Sequence, residues 1–213
     1  MLGKDKKPLK TRSGENFTLR ALLEEAIERG ASQVISRSQD EHAPTHGADE
    51  STLRGIGRAV GIAAVKYADL SSGVVKDYVF DLDRMIAFEG DTGPYIQYAH
   101  ARICSIIARA ASEGVTWQDA PLLIDAPEEK RLAIALLRYR RTVLETADQL
   151  EPHRLCGYLH ELANLYSAFY QACPVLKADD EATRNSRLRL CDLTRRTLRG
   201  GMELLGIESP ERM

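Results

Sequence analysis

The 213-residue sequence holds no C-x-x-C pair, no signal-peptide pattern and no apolar run long enough to span a bilayer. Its cysteines, 104, 156, 173 and 191, lie far apart on apolar helix faces. That placement reads as buried thiols in a reducing compartment, so a cytoplasmic location is expected and no membrane partner. Charge of one sign is also lacking: 29 basic against 31 acidic residues leave a net charge of −2. Such a balance argues against indiscriminate nucleic-acid binding, and no DNA partner is expected. His42 and His46 have no third ligand nearby, so no metal site is expected and both should face solvent. Gly55, Gly57 and Gly61 follow G-x-G-x-x-x-G spacing with no strand before them, which fits close helix packing rather than a dinucleotide loop.

What remains is an ordinary globular composition, 44% hydrophobic and 28% charged, long enough for one large or two small domains. Two basic runs stand out. Residues 183–199 carry Arg184, Arg187, Arg189, Arg195, Arg196 and Arg199 against Asp192 alone, and the first twelve carry Lys4, Lys6, Lys7, Lys10 and Arg12 against Asp5. Each run reads either as an electrostatic footprint or as a solvated face.

The richest stretch is FEGDTGPYIQYAHAR, residues 88–102. A polar loop with Gly90 and Gly93 gives way to a helix that Asp91 or Thr92 can cap and Pro94 can open. Ile96, Ala99, Ile103, Ile106 and Ala110 recur at steps of three and four, a core stripe. Beside it run Tyr95, Tyr98, Arg102 and Arg109. Tyrosines that stack on bases and arginines that meet phosphates suit single-stranded RNA. Half-buried tyrosines with solvated arginines give the same pattern.

Elsewhere the periodicity predicts a helix over 18–30 ending at Gly30, a short strand over 33–36, and a loop over 37–50. A helix to about 69 follows, with Leu53, Ile56, Val60, Ala64 and Tyr67 on one face, then a short strand over 74–80 and a helical turn after Asp81. Three further helices follow. Residues 130–150 place Leu132, Leu136, Tyr139, Val143, Ala147 and Leu150 inward. Residues 154–172 place Leu155, Leu159, Leu162, Tyr166 and Phe169 inward, leaving Tyr170 off the stripe. Residues 183–205 place Cys191, Thr194, Leu198, Met202 and Leu205 inward. The fold expected is mostly all-α: a small α/β connecting region over 1–93, then a four-helix bundle over 94–213.

The string FEGDTGPYIQYAHAR, with VKYADL at 65–70 and LGIESPERM at 205–213, resembles arginyl-tRNA synthetase, a class I aminoacyl-tRNA synthetase. The similarity runs from about Lys4 to Met213 and corresponds to the C-terminal portion of that enzyme. By this resemblance, Lys10-Thr11-Arg12-Ser13-Gly14 is a degenerate KMSKS-like loop, with Lys10 and Arg12 as contacts to ATP phosphates. ATP, with Mg, is then the cofactor of the parent reaction, and this chain should hold none tightly. The second class I signature, HIGH, does not occur, so the chain alone is not expected to catalyse aminoacylation. The initial Met, where the family reads on without interruption, suggests a shortened chain.

The same resemblance makes 94–213 a DALR anticodon-binding domain, with Ala135-Leu136-Leu137-Arg138 at the namesake tetrad and Ala where the family name has Asp. It implies that Tyr95, Ala99, Tyr170 and the terminal Met213 bind the anticodon. Tyr98, Arg102, Arg189, Arg196 and Arg199 are candidates for the RNA backbone. The implied partners are the tRNA for arginine and the N-terminal catalytic domain. If that domain is absent, the apolar face of 19–67 is expected to self-associate. A free-standing tRNA-binding module and an RNA-independent helical interaction domain remain as alternatives.

Overall fold

The computed structural model describes residues 18–73 and 76–213. It opens with α1 (Leu19–Ser38) and α2 (Glu50–Leu70). The Thr18 hydroxyl oxygen caps α1 by accepting from the Ala21 N–H at 3.1 Å. Asp49 caps α2, accepting from the Thr52 N–H at 2.9 Å.

The buried positions Leu22, Ala26, Gly30 and Val34 continue in steps of four straight through Gly30. Gly30 is therefore a crossing point and not a helix end. A Cβ on Gly61 would stand 2.3 Å from the Ala26 carbonyl oxygen, and one on Gly57 2.3 Å from the Ala31 Cα, so the backbones of α1 and α2 touch. Gly55 faces open space. The crossing buries Val34 and carries the helix on to Ser38, overriding the strand preference of the β-branched pair Val34-Ile35. The strand expected over 33–36 is thus helical. Of the strand expected over 74–80, Val74 and Val75 lie outside the described residues, and over 76–80 only Val79 makes an isolated bridge. Among the described residues the connecting region is helical rather than α/β.

A short α3 (Leu82–Met85) precedes four long helices: α4 (Gly93–Ser112), α5 (Pro127–Gln149), α6 (Pro152–Ala172) and α7 (Glu181–Leu204). The mostly all-α fold and its four-helix unit are as the periodicity predicts. Thr92, not Asp91, caps α4: its oxygen accepts from the Tyr95 N–H at 3.2 Å while its hydroxyl donates to the Ala87 carbonyl at 2.6 Å. Two cores meet across α2 and α4. Ile96, Ala99, Ile103 and Ile106 of α4 join Leu159, Leu162, Phe169, Leu188 and Leu198 in the bundle core. Ala101, on the other side of α4, joins Val60 and Ala64 of α2, Ala26 and Val34 of α1, and Met213. The stripe Leu53–Val60–Ala64–Tyr67 is buried within this chain, while Leu19 is 69% exposed.

One helix departs from its expected face. Leu132 of α5 is fully buried, but Ala147 is exposed and Leu150 is 80% exposed, in the left-handed turn that reverses the chain into α6. The inward stripe ends before the last turn of α5, and Leu150 lies in the turn itself.

Glu129 ties α5 to α7. It is buried, accepts from the Asp125 and Ala126 amides at 2.9 and 3.0 Å, and pairs with the Arg187 guanidinium at 2.7 Å. Burial alone would raise its pKa, but the Arg187 hydrogen bond and the two amides outweigh it and hold the carboxyl below the ordinary glutamate value.

Two predictions follow from these contacts. Gly61→Ala should destabilise the chain by about 1–3 kcal/mol or more through backbone overlap, whereas Gly55→Ala should be neutral or stabilising by up to about 1 kcal/mol. Denaturant unfolding of both variants checks this, and equal stabilities would refute the backbone contact. The ionised Glu129 contributes stability that is present above its unfolded pKa, about 4.3, and lost as pH falls through the lower folded value. Glu129→Gln should therefore cost about 1.5–3 kcal/mol at neutral pH, a gap that narrows in acid. A gap that is unchanged at about pH 3 would show that charge is not what holds the joint.

Candidate nucleic-acid interface

Tyr67 of α2, the tyrosine of VKYADL, is fully buried, and its hydroxyl donates to Asp91 Oδ1 at 2.6 Å beside the Cys156 carbonyl at 3.1 Å. Burial, reinforced by Asp91, pushes its pKa far up, so it remains a hydrogen-bond donor. That bond holds the 88–92 loop where Thr92 can cap α4, and the cap fixes the register in which α4 presents its side chains.

Tyr95 leaves the first turn of α4 half-buried, with its hydroxyl donating to Asn164 Oδ1 of α6 at 2.8 Å and its ring edge-on to His160 at 5.8 Å. Ala99, one turn on, is buried at 6% exposure. One turn further, the Arg102 guanidinium lies 4.3 Å over the ring of Tyr170, which is half-buried against Tyr166. Tyr95, Ala99, Arg102 and Tyr170 thus form one surface along the α4–α6 contact. Beyond Tyr170 it opens into a groove of about 490 Å³ bounded by Ile106, Arg109, Pro174, Leu176 and Lys177. An aromatic face, a guanidinium and an adjoining cleft can hold an unstacked base and its phosphate.

Other candidate residues lie elsewhere. Tyr98 faces Phe88 edge-on at 6.3 Å, with the Arg37 guanidinium 5.5 Å from its ring. Met213 is buried in the second core, and its tail is tied down by Gln97 donating to the Glu208 carbonyl at 2.8 Å and His100 donating to the Pro210 carbonyl at 3.1 Å. Burial holds the His100 pKa below the ordinary histidine value, with Arg195 and Arg199 acting in the same direction.

The basic run of α7 is largely occupied. Arg187 serves Glu129, Arg189 donates to the Ala120 carbonyl, and Arg195 pairs with Asp192 at 2.7 Å. Arg196 and Arg199 are exposed, paired with Asp192 at 3.2 Å and Glu203 at 2.9 Å. Lys10 and Arg12 lie outside the described residues. His42 and His46 are exposed as expected. Of the cysteines, all free, 156, 173 and 191 are buried and Cys104 is half-buried. No described helix is long and apolar enough to cross a membrane.

The tetrad at 135–138 staples α5 to α6. Ala135 is buried and its carbonyl accepts from the Tyr158 hydroxyl at 3.1 Å, while Arg138 grips Glu161 at 3.0 and 2.6 Å. Periodicity missed Asn164 and His160, whose partners are on other elements; the only sequence signal is two polar residues four apart beside an apolar stripe.

Residues 96–213 match the DALR anticodon binding domain, and residues 1–82 match the catalytic domain of class I (R) tRNA synthetases. Over all 213 residues the chain is 47% identical to an arginine–tRNA ligase of Klebsiella pneumoniae and 49% identical to one of Thermobifida fusca. It spans 36% of the length of each. The arginyl-tRNA synthetase of Thermus thermophilus superposes on the whole chain and on 34% of its own length, with a TM-score of 0.84 at 33% identity. With more than half its length matched to that domain, and its full length to these enzymes, the chain belongs to the DALR anticodon-binding family in the form found in the C-terminal part of arginyl-tRNA synthetases.

Proposed function

We propose that this chain recognises the anticodon of an arginine tRNA, as the RNA-reading part of an ATP-dependent arginine–tRNA ligase. In the parent reaction ATP activates arginine as an adenylate, and the arginyl group passes to the tRNA 3′ end. The observation that carries the reading is the juxtaposition of Tyr95, Ala99, Arg102 and Tyr170 along α4 and α6, within the matched domain. Tyr95 and Tyr170 supply stacking faces, buried Ala99 lies between Tyr95 and Arg102 on α4, and the cleft beyond Tyr170 offers room for a splayed nucleotide. Arg102 is the nearest cation for a phosphate. Of the other candidates, the exposed Arg196 and Arg199 could reach RNA backbone by exchanging Asp192 and Glu203, whereas Arg189 and Tyr98 are engaged within the chain and Met213 is buried.

The N-terminal catalytic domain is the second proposed partner, reached through α1 and α2. ATP concerns only the Lys10–Gly14 loop, with Lys10 and Arg12 on its phosphates and Mg as counter-ion. Gly57 and Gly61 are filled by α1 and offer no phosphate cradle.

Fluorescence anisotropy of labelled arginine tRNA beside an anticodon-substituted tRNA tests the reading. Tighter binding of the native anticodon is expected. Equal, steeply salt-dependent binding would reduce the interface to its charges. Tyr170→Ala should weaken binding by about 1–3 kcal/mol, the worth of one base–aromatic stack, with little change in melting temperature. A large stability loss with unaltered binding would assign Tyr170 to the core.

A further inference from the structure

Asn164 stands exposed on α6 against Tyr95, with His160 one turn behind it and Tyr170 six residues further along the helix. Its amide has two N–H donors and two acceptor lone pairs. Tyr95 uses one lone pair, its hydroxyl donating to Oδ1 at 2.8 Å. His160 uses one N–H, with Nδ2 and Nε2 at 3.2 Å. For that contact to be a hydrogen bond, Nε2 must accept, so the His160 proton sits on Nδ1. Nδ1 faces Asp91 Oδ1 at 3.7 Å, and the same carboxylate oxygen accepts from the buried Tyr67 hydroxyl at 2.6 Å. The contacts to Tyr95 and His160 orient the amide, with Oδ1 toward Tyr95 and Nδ2 toward His160, and Asp91 lies behind the imidazole at ion-pair distance. One N–H and one lone pair are left over, on a side chain open to solvent.

We infer that Asn164 is a specificity-determining residue that reads the edge of an anticodon base held beside Tyr95. A free donor and a free acceptor on one planar group can pair with a base edge presenting an acceptor beside a donor. Stacking on Tyr95 and Tyr170 is indifferent to which base is present, because every base has a π-face. The amide is the adjacent group able to discriminate. Its orientation is set before RNA arrives, so little ordering cost falls on binding. His160 and Asp91 are positioning residues: they hold the amide and touch no base. The inference rests on the anticodon-face reading given above.

The test measures the affinities of the full chain for native arginine tRNA and for tRNAs substituted at each anticodon base, in Asn164→Leu, His160→Ala and Tyr170→Ala. Asn164→Leu keeps the volume and removes both polar ends. It should lower the preference for the native base at one anticodon position by about tenfold, leaving affinity for the tRNA substituted there nearly unchanged. His160→Ala should lower the same preference by a smaller factor without shifting it to another position. Melting temperatures should barely move, since Asn164 is exposed. Uniform weakening toward every tRNA, or unchanged preference, in Asn164→Leu would overturn the assignment while Tyr170→Ala still weakens binding. If Tyr170→Ala also leaves binding intact, the anticodon-face reading fails and the Asn164 assignment falls with it.

Discussion

The buried hydroxyl of Tyr67 has to be satisfied, because an unpartnered hydroxyl in an apolar core costs about 1–3 kcal/mol. It finds Asp91 at 2.6 Å, next to the Cys156 carbonyl. This joins three elements at one point: α2, the loop before α4, and α6. With the loop pinned, Thr92 caps α4 and closes the turn back to the Ala87 carbonyl. The cap decides the register of the helix, and the register decides that Tyr95 and Arg102 meet α6 while Ala101 meets Val60 and Ala64. Other joints lock regions already positioned by this one: the Glu129–Arg187 pair at the foot of α5 and the Arg138–Glu161 fork between α5 and α6.

The interior was legible to the extent that it repeats. Ile96, Ala99, Ile103, Ile106 and Ala110 recur at helical spacing, and all are buried; the stripes of α6 and α7 behave alike. Gly30 misled for a physical reason. A glycine after an apolar run looks the same whether it ends a helix or lets another backbone approach, and only Gly57 and Gly61 on the facing helix decide between the two. Val34 and Ile35 then resemble a strand because intrinsic preference is visible in one dimension and burial is not. The end of α5 failed in the opposite sense: Leu150 fits the apolar period but falls in the left-handed turn after the helix, where its side chain is exposed.

The surface was less legible than the core because partners of polar residues need not be periodic. Six arginines in seventeen residues of α7 read as a basic patch, yet Arg187 and Arg189 are taken up by groups on other segments, Glu129 and the Ala120 carbonyl. Their charge is spent on joining α7 to α5 and to the preceding loop. The line beside the core stripe of α4 divides in the same way. Tyr95 and Arg102 reach α6, while Tyr98 turns to Phe88 and Arg37. Two polar residues on α6, His160 and Asn164, carried only the weak signal of a four-residue spacing beside the apolar stripe, because their meaning comes from Tyr95 and Asp91 across the helix contact.

Tyr170 is neither a free ring nor a core ring. Its ring is covered by the Arg102 guanidinium at 4.3 Å. On the proposed anticodon reading, a base stacking there would displace the guanidinium and sacrifice a cation–π contact worth about 0.5–1 kcal/mol at a solvent-exposed site. The stack gained is worth about 1–3 kcal/mol, so the exchange favours the base. On that reading the displaced guanidinium would be free to meet the phosphate of the same nucleotide. Arg102, on the proposed anticodon reading, would cover the aromatic face until RNA arrives and meet the backbone afterwards. This ordering needs no rearrangement of α4 or α6, because both side chains stand on helices already fixed by the Tyr67–Asp91 joint.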